Sequence, residues 1–265
     1  MHIIDTKKMN LRTDLLIDSQ EIKNEIYTNN GVSLYRSKRN SYTFSTITFI
    51  DSTDSTQRKI IERLLTEELA NYIEPNSKVL IVGLGNRKST PDALGPKVLD
   101  NILVTRHLFL MGEVQGDYSN VAIFEPSVYG NTGISSVELI KHTVDIVKPD
   151  YTILIDSLCT SNESRLNKTI QLTDKGINPG SGVNNNRGEL SKEILNSKVI
   201  AIGVPTVLDL ESLILNILKK YNIDTYEIED NLIVTPKEVD YLIEKLSFII
   251  SNSINNVLHP INRHN

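Results

Sequence analysis

The chain has 265 residues, of which 39% are hydrophobic, and a formal net charge of −5. This is enough for a full hydrophobic core, whereas the negative charge and the lack of a basic block argue against nucleic-acid binding. The sequence contains neither an apolar run of about 18 residues for a membrane span nor the apolar core of a signal peptide. We therefore expect a cytoplasmic protein without a nucleic-acid or membrane partner.

The N-terminal part is predicted to contain an arm and then strands. Residues 1–20 mix charged and apolar residues without a clear period and are predicted to be an arm. Residues 21–265 are predicted to form a single α/β domain. Its β-rich start, residues 21–50, is divided by the turn signal Asn29-Asn30-Gly31. An amphipathic helix follows, with Ser55 or Thr56 as its N-cap.

From residue 78 onwards, predicted strands and helices alternate. The predicted strands are 79–84, 121–125, 151–156, 168–173 and 198–204, and the predicted helices are 92–104, 135–148, 188–195, 207–221 and 236–258. This alternation predicts the α/β class, with an open, mostly parallel sheet and helices on both faces. The glycine-rich stretch 174–188 is long for a simple connection, which predicts a functional or mobile loop.

Ligands of open α/β sheets bind at the carboxyl ends of the strands. That rule selects the four segments that follow the core strands. These segments begin at Gly83, Glu125, Asp156 and Gly203. These segments carry glycines, carboxylates and an asparagine, residue types that suit an active site.

Asp92 is the first candidate. Thr90 suits an N-cap and Pro91 the first helical position, so Asp92 is predicted in the first turn of a helix. One interpretation is that Asp92 only complements the helix dipole. The other is that the same dipole keeps Asp92 ionised, as a general base requires.

Asp156 is the second candidate, because it directly follows the apolar run Thr-Ile-Leu-Ile. A carboxylate is costly to desolvate there unless it is paired or protonated. A structural role, in which Asp156 accepts hydrogen bonds from the next turn, stays open. We hypothesise that a desolvated, protonated Asp156 and an ionised Asp92 face each other and act as acid and base.

Other motifs are absent from the sequence. Position 88 is lysine, so Gly83-x-Gly85 lacks the third glycine of the dinucleotide fingerprint. The five histidines form no metal-binding motif, and the single cysteine, Cys159, cannot form an internal disulfide. No cofactor is therefore predicted.

Several segments together resemble the germination protease family, the endopeptidases that degrade small acid-soluble spore proteins. They occur in family order: LRTDLLIDS (11–19), VLIVGLGN (79–86), TPDALGP (90–96), VTRHLF (104–109), GNTGISSVELI (130–140), VKPDYTILIDSL (147–158), TIQLTDKGINPGSGV (169–183), VIAIGVPTVLD (199–209), IVTPKEVD (233–240) and NNVLHP (255–260).

This resemblance implies a fold like that of hydrogenase-maturation peptidases and cleavage of small acid-soluble spore proteins in the forespore or spore core. The family is described as an atypical aspartic-type protease, although it has also been classified among metalloendopeptidases. Its two essential aspartates fall on Asp92 and Asp156 by motif position. The resemblance also implies a homotetramer and a zymogen processed near Leu15, Leu16, Ile17 and Asp18.

Further roles and alternatives follow from these segments. We expect backbone or side-chain contacts to the substrate or oxyanion from Gly83, Gly85, Asn86, Glu125, Gly180, Ser181 and Gly182. In one alternative, Asp92 and Asp156 are ligands of a hard metal ion. In another, the departures from the family pattern at 87–89 and 159–162 belong to a non-catalytic homologue that binds spore proteins.

Overall fold

The computed structural model describes residues 2–5, 13–18, 24–114, 117–178, 188–221, 225–228 and 232–260. The strands are β1 (His2–Asp5), β2 (Asn24–Asn29), β3 (Val32–Arg39), β4 (Tyr42–Thr48), β5 (Lys78–Gly83), β6 (Asn120–Phe124), β7 (Tyr151–Thr160), β8 (Thr169–Thr173), β9 (Lys198–Asp209), β10 (Thr225–Ile228) and β11 (Ile233–Val234).

The α-helices are α1 (Ser55–Ala70), α2 (Leu94–Leu99), α3 (Arg106–Met111), α4 (Tyr129–Thr132), α5 (Ser136–Val147), α6 (Lys192–Leu195), α7 (Leu210–Lys220) and α8 (Val239–Leu258). Short 3-10 helices occur at Leu16–Asp18, Thr90–Asp92 and Glu163–Arg165. Among the helices in the described ranges, none has the length and apolar character that crossing a membrane requires.

One nine-stranded sheet organises the fold, with the order β2–β3–β4–β8–β9–β7–β5–β6 and β11 beside β9. Strands β9, β7, β5 and β6 are parallel, whereas β8, β4, β3 and β2 continue the sheet in antiparallel pairs. The α/β class is confirmed, and the sheet is mixed because its β-rich start joins the parallel half. Turns with positive φ at Asn30-Gly31 and Asn40-Ser41 connect these hairpins, as expected for two-residue loops.

Helices cover both faces of the sheet, as predicted. Helices α1, α2 and α8 contribute to a core with one face, whereas α5 and α6 contribute to a core with the other. Neighbouring residues of β7 alternate between the two cores: Ile153 belongs to the first and Leu154 to the second. Strand β7 is therefore covered on both faces and lies between two strands.

Two predicted strand ends were wrong. Strand β7 does not stop at Asp156 but pairs with β9 as far as Thr160, and β9 extends to Asp209, where a helix was predicted. Both strands are longer than predicted because each supplies the hydrogen-bonding partner that lets the other continue. Asp156 therefore lies within a strand.

The helix predicted over 92–104 is also different. It is divided into the 3-10 helix Thr90–Asp92 and the short helix α2, which stops at Leu99. Beyond it, the Leu103 N–H donates to the Asn255 side chain at 3.0 Å instead of continuing a helical ladder. Strand β1, which pairs with β10, was not predicted, because residues 2–5 show no periodicity of their own.

Candidate active site

The turn after β5 closes around the carbonyl group of Asp92. Gly85 has a φ of +107°, and a Cβ atom at this residue would lie 2.1 Å from the Asp92 carbonyl oxygen. The N–H of Asn86 donates to the same oxygen at 2.9 Å. Both the positive φ and the close approach require glycine at position 85. The Gly-Leu-Gly-Asn run therefore forms the turn that holds the Asp92 main chain in place.

Asp92 is the last residue of its 3-10 helix and is partly exposed. Its N–H donates to the Ser89 carbonyl at 2.8 Å. The hydroxyl of Thr206, from β9, donates to the Pro91 carbonyl at 2.6 Å. These bonds tie the Asp92 turn to the carboxyl-terminal part of a neighbouring strand.

Helix α2 approaches the sheet closely beside this turn. A Cβ atom at Gly95 would lie 2.3 Å from the Leu84 carbonyl and 2.7 Å from the Ile155 carbonyl. A Cβ atom at Gly83 would lie 2.5 Å from the Gly95 carbonyl. Two glycines thus let the helix rest on the backbones of β5 and β7, next to Asp156.

Asp156 is almost fully buried, with 7% of its surface exposed. Burial raises the pKa of Asp156 well above its usual range, and the negative charges of Asp92 and Asp14 raise that pKa as well. The N–H of Ser157, which donates to Oδ1 at 2.9 Å, acts in the opposite direction. The carboxyl group therefore favours the protonated form at pH values where an exposed aspartate is ionised.

The two predicted aspartates are electrostatically coupled, since the charge of Asp92 raises the pKa of Asp156. The two carboxyl groups also differ: Asp156 is buried in the sheet, and Asp92 lies on a partly exposed turn. Two carboxyl groups in unlike surroundings can act as an acid and a base, so one group of this pair can give a proton while the other takes one.

The N-terminal arm docks beside this pair. The N–H of Asp14 donates to the Cys159 carbonyl at 3.0 Å, and the Cys159 N–H donates to the Asp14 carboxylate at 2.8 Å. Leu15 and Ile17 are 2% and 5% exposed and pack with Leu158. Of the predicted processing run, Leu16 is half-buried and Asp18 ends the 3-10 helix.

Gln171, in β8, holds the arm from the other side and was missed by the sequence analysis. Its Nε2 donates to the Asp14 carbonyl at 3.2 Å, and its Oε1 accepts from the Leu16 N–H at 2.8 Å. The available signal was an amide side chain between the buried residues Ile170 and Leu172. Its partner could not be inferred, because it lies far away in the sequence.

The remaining predicted residues lie at the rim or outside the described ranges. The guanidinium group of Arg87 binds Glu125 (Nη2 to Oε2, 2.7 Å) and Asp100 (Nη1 to Oδ2, 2.8 Å). The Asn86 side-chain oxygen accepts from Asn131 at 3.0 Å. Gly180, Ser181 and Gly182 lie outside the described residues.

A cavity of about 470 Å³ adjoins the docked arm. Residues 13–16 form one wall, the turn around Asn40 another, and residues 175–178 a third, while Gln171 and Gly203 line it from the sheet. The cavity therefore lies between the arm, two turns and the sheet.

No group of three or more His, Cys, Asp or Glu side chains within the described ranges is placed to hold a metal ion. A metal held by Asp92 and Asp156 would have to complete its coordination with water or substrate oxygens.

Comparison with known proteins links the chain to one family. A family model described as germination protease matches residues 6–225. A germination protease of Caldanaerobacter subterraneus subsp. tengcongensis is 41% identical over 238 residues, which cover 76% of this chain and 74% of that protein.

Longer alignments give the same result. The germination protease of Clostridium tetani is 35% identical over an alignment of 311 residues, covering 95% of this chain and 96% of that protein. The one from Bacillus cytotoxicus is 31% identical over an alignment of 350 residues, covering 97% and 95%. The similarity therefore includes both strands and turns that carry the site.

Proposed function

This chain belongs to the germination protease family, and we propose that it is an endopeptidase that cleaves small acid-soluble spore proteins during spore germination. Family membership makes it a peptidase; the substrate and the catalytic pair are the proposal. The observation that carries the pair is the buried carboxyl group of Asp156, whose pKa is raised by burial and then by the charge of Asp92.

In the proposed reaction, Asp92 is the general base. Its carboxylate takes a proton from a water molecule, and the oxygen of that water attacks the carbonyl carbon of the scissile peptide bond. Asp156, protonated because of its burial, gives its proton to the leaving amine. Two carboxyl groups in unlike environments can divide these two tasks between them.

The oxyanion that forms during the attack needs hydrogen-bond donors. We assign this role to the backbone around Gly83 and Gly85 and to Gly180, Ser181 and Gly182 of the glycine-rich stretch. The N–H of Asn86 already donates to the Asp92 carbonyl, so Asn86 contributes by shaping the turn. Glu125, which binds Arg87, borders the substrate path.

The arm is proposed to be a pro-segment that is removed by self-cleavage within Leu15, Leu16, Ile17 and Asp18. Its burial against Leu158 and the effect of the Asp14 charge on Asp156 support a segment that covers the site. A homotetramer in the spore core is a further proposal that rests on the family alone.

The test is to incubate the purified chain with an α/β-type small acid-soluble spore protein and follow cleavage by mass spectrometry. Parallel reactions use Asp156→Asn, Asp92→Asn and an added chelator. Cleavage that survives the chelator and is lost in both variants supports the aspartate pair. Cleavage lost to the chelator and restored by a metal ion would make the aspartates ligands.

The absence of cleavage by folded protein that still binds the spore protein would instead indicate a non-catalytic binding homologue. Circular dichroism is the control for folding in each variant.

A further inference from the structure

Asp156 and Gln171 lie in one row across three neighbouring strands. Gly203 of β9 is paired with Asp156 on one side and with Gln171 on the other. Residues directly opposite each other in a sheet project to the same face. Because adjacent strands are about 4.8 Å apart, the main chains of Asp156 and Gln171 are separated by roughly 10 Å on one face of the sheet.

The amide of Gln171 contacts the arm in the way a strand residue would. It donates to the carbonyl of Asp14 and accepts from the N–H of Leu16, two residues further on. In a parallel ladder, one residue binds the neighbouring strand in the same pattern: its N–H donates to one carbonyl, and its C=O accepts from the N–H two residues further on. The Gln171 side-chain amide thus binds the arm in the same pattern as the backbone of a parallel strand would.

This contact involves only main-chain groups of the arm. The carbonyl of Asp14 and the N–H of Leu16 are bound by Gln171, and the N–H of Asp14 is bound by the Cys159 carbonyl. Every peptide carries these groups at nearly every residue. The Asp14 carboxylate and the Leu15 and Ile17 side chains add contacts that are particular to the arm. The two Gln171 hydrogen bonds do not depend on side chains, so the amide can bind the main chain of another peptide.

Gln171 also has little freedom to do anything else. It is 7% exposed, in a strand that is hydrogen-bonded on both sides. Gln171 lines the cavity beside the arm, so removal of the arm leaves its donor and acceptor accessible to a replacement peptide.

We propose that Gln171 is a substrate-positioning residue: it binds the main chain of the substrate through both of its amide atoms, at the place that the arm occupies. The carbonyl of Cys159 holds the same peptide from the other side. The substrate then lies next to Asp156, and its orientation is fixed by two contacts from β7 and β8, the strands on either side of β9. The inference rests on the proposed function for the identity of the substrate, but its binding test does not require turnover.

The experiment uses the full chain with Leu15→Ser and Ile17→Ser, which remove the apolar anchors of the arm. The probe is a fluorescein-labelled peptide with the sequence of residues 11–18, and its Kd is measured by fluorescence anisotropy in the Asp92→Asn background. Gln171→Met removes both hydrogen bonds at similar volume. The matched control is Thr169→Val, in the same strand, because the Thr169 hydroxyl is buried without a hydrogen-bond partner.

We expect Gln171→Met to raise Kd roughly tenfold or more, as the loss of two hydrogen bonds implies, and Thr169→Val to change it by less than about twofold. With Asp92 restored, Gln171→Met is expected to raise KM for a cleavable peptide more than it lowers kcat. If the chain with both Leu15→Ser and Ile17→Ser, the release variant, does not fold, the single substitution Leu15→Ala is used in its place.

Equal Kd values for Gln171→Met and Thr169→Val, or no peptide binding to the folded release variant, would overturn the inference. A Kd shift without cleavage by any form would refute the proposed function and leave the role of Gln171 in binding intact.

Discussion

Replacing Asp156 with asparagine is expected to stabilise the folded protein at neutral pH. Burial, followed by the charge of Asp92, raises the pKa of Asp156, so the folded chain retains a proton that the unfolded chain releases. A raised pKa contributes stability that is fully present below the unfolded pKa of about 4 and is lost as pH rises through the folded pKa. Asparagine has no such dependence.

The size of the effect follows from proton linkage. Between the unfolded and the folded pKa, the free energy of unfolding of the wild type should fall by about 1.4 kcal/mol per pH unit relative to Asp156→Asn. Because the chain has no tryptophan, unfolding in urea is best followed by circular dichroism. Curves are compared from about pH 4 to about pH 8, at one protein concentration.

Asp92→Asn serves as the second perturbation in this series. It removes a negative charge that raises the pKa of Asp156, so the descending part of the curve should end at a lower pH. Parallel wild-type and Asp156→Asn curves over the whole range would refute the reasoning that the buried carboxyl group is protonated in the folded state.

Two further predictions compare matched variants. Gly85→Ala is expected to lower kcat/KM about a hundredfold by displacing Asp92. Gly133→Ala, at a φ of +71° and with no atom within 4 Å of its Cβ, should cost about 1 kcal/mol of stability and leave activity intact; equal activities would contradict this. Glu68→Gln is expected to destabilise the fold by about 1–3 kcal/mol, because Glu68 is buried and accepts from Ser45 and an arginine of β3. Glu67→Gln, exposed on the same helix, should cost less than about 0.5 kcal/mol, and similar shifts in urea midpoint would argue against the buried pair.

The sequence was most informative where local pattern and burial agree. The apolar runs at 79–84 and 151–156 predicted two buried strands of a mostly parallel sheet, and a carboxylate after the second run predicted a desolvated Asp156. Both features depend on residues that are neighbours in the chain. The same reasoning placed Asp92 in the first turn of one helix, whereas it ends a 3-10 helix and the short helix α2 follows it.

Contacts between distant segments could not be predicted. Leu15 and Ile17 look like part of an exposed arm, and only the apolar surface around Leu158 makes them core residues. Gln171 likewise reads as one polar residue in a strand until the Asp14–Leu16 backbone lies against it. The end of β7 was misplaced for the same reason, since β9 determines how far that strand continues.

The two aspartates are carried by elements of different local stability. Asp156 is buried in β7 and paired with Gly203 of β9, so its amide should exchange with solvent hydrogen more slowly than the amides of the Asp92 turn. Asp92 is held by a short turn whose bonds to Asn86 and Thr206 can open while the sheet stays intact. On heating, the distance between the two carboxyl groups should therefore change before the fold is lost, and inactivation should precede the loss of secondary structure.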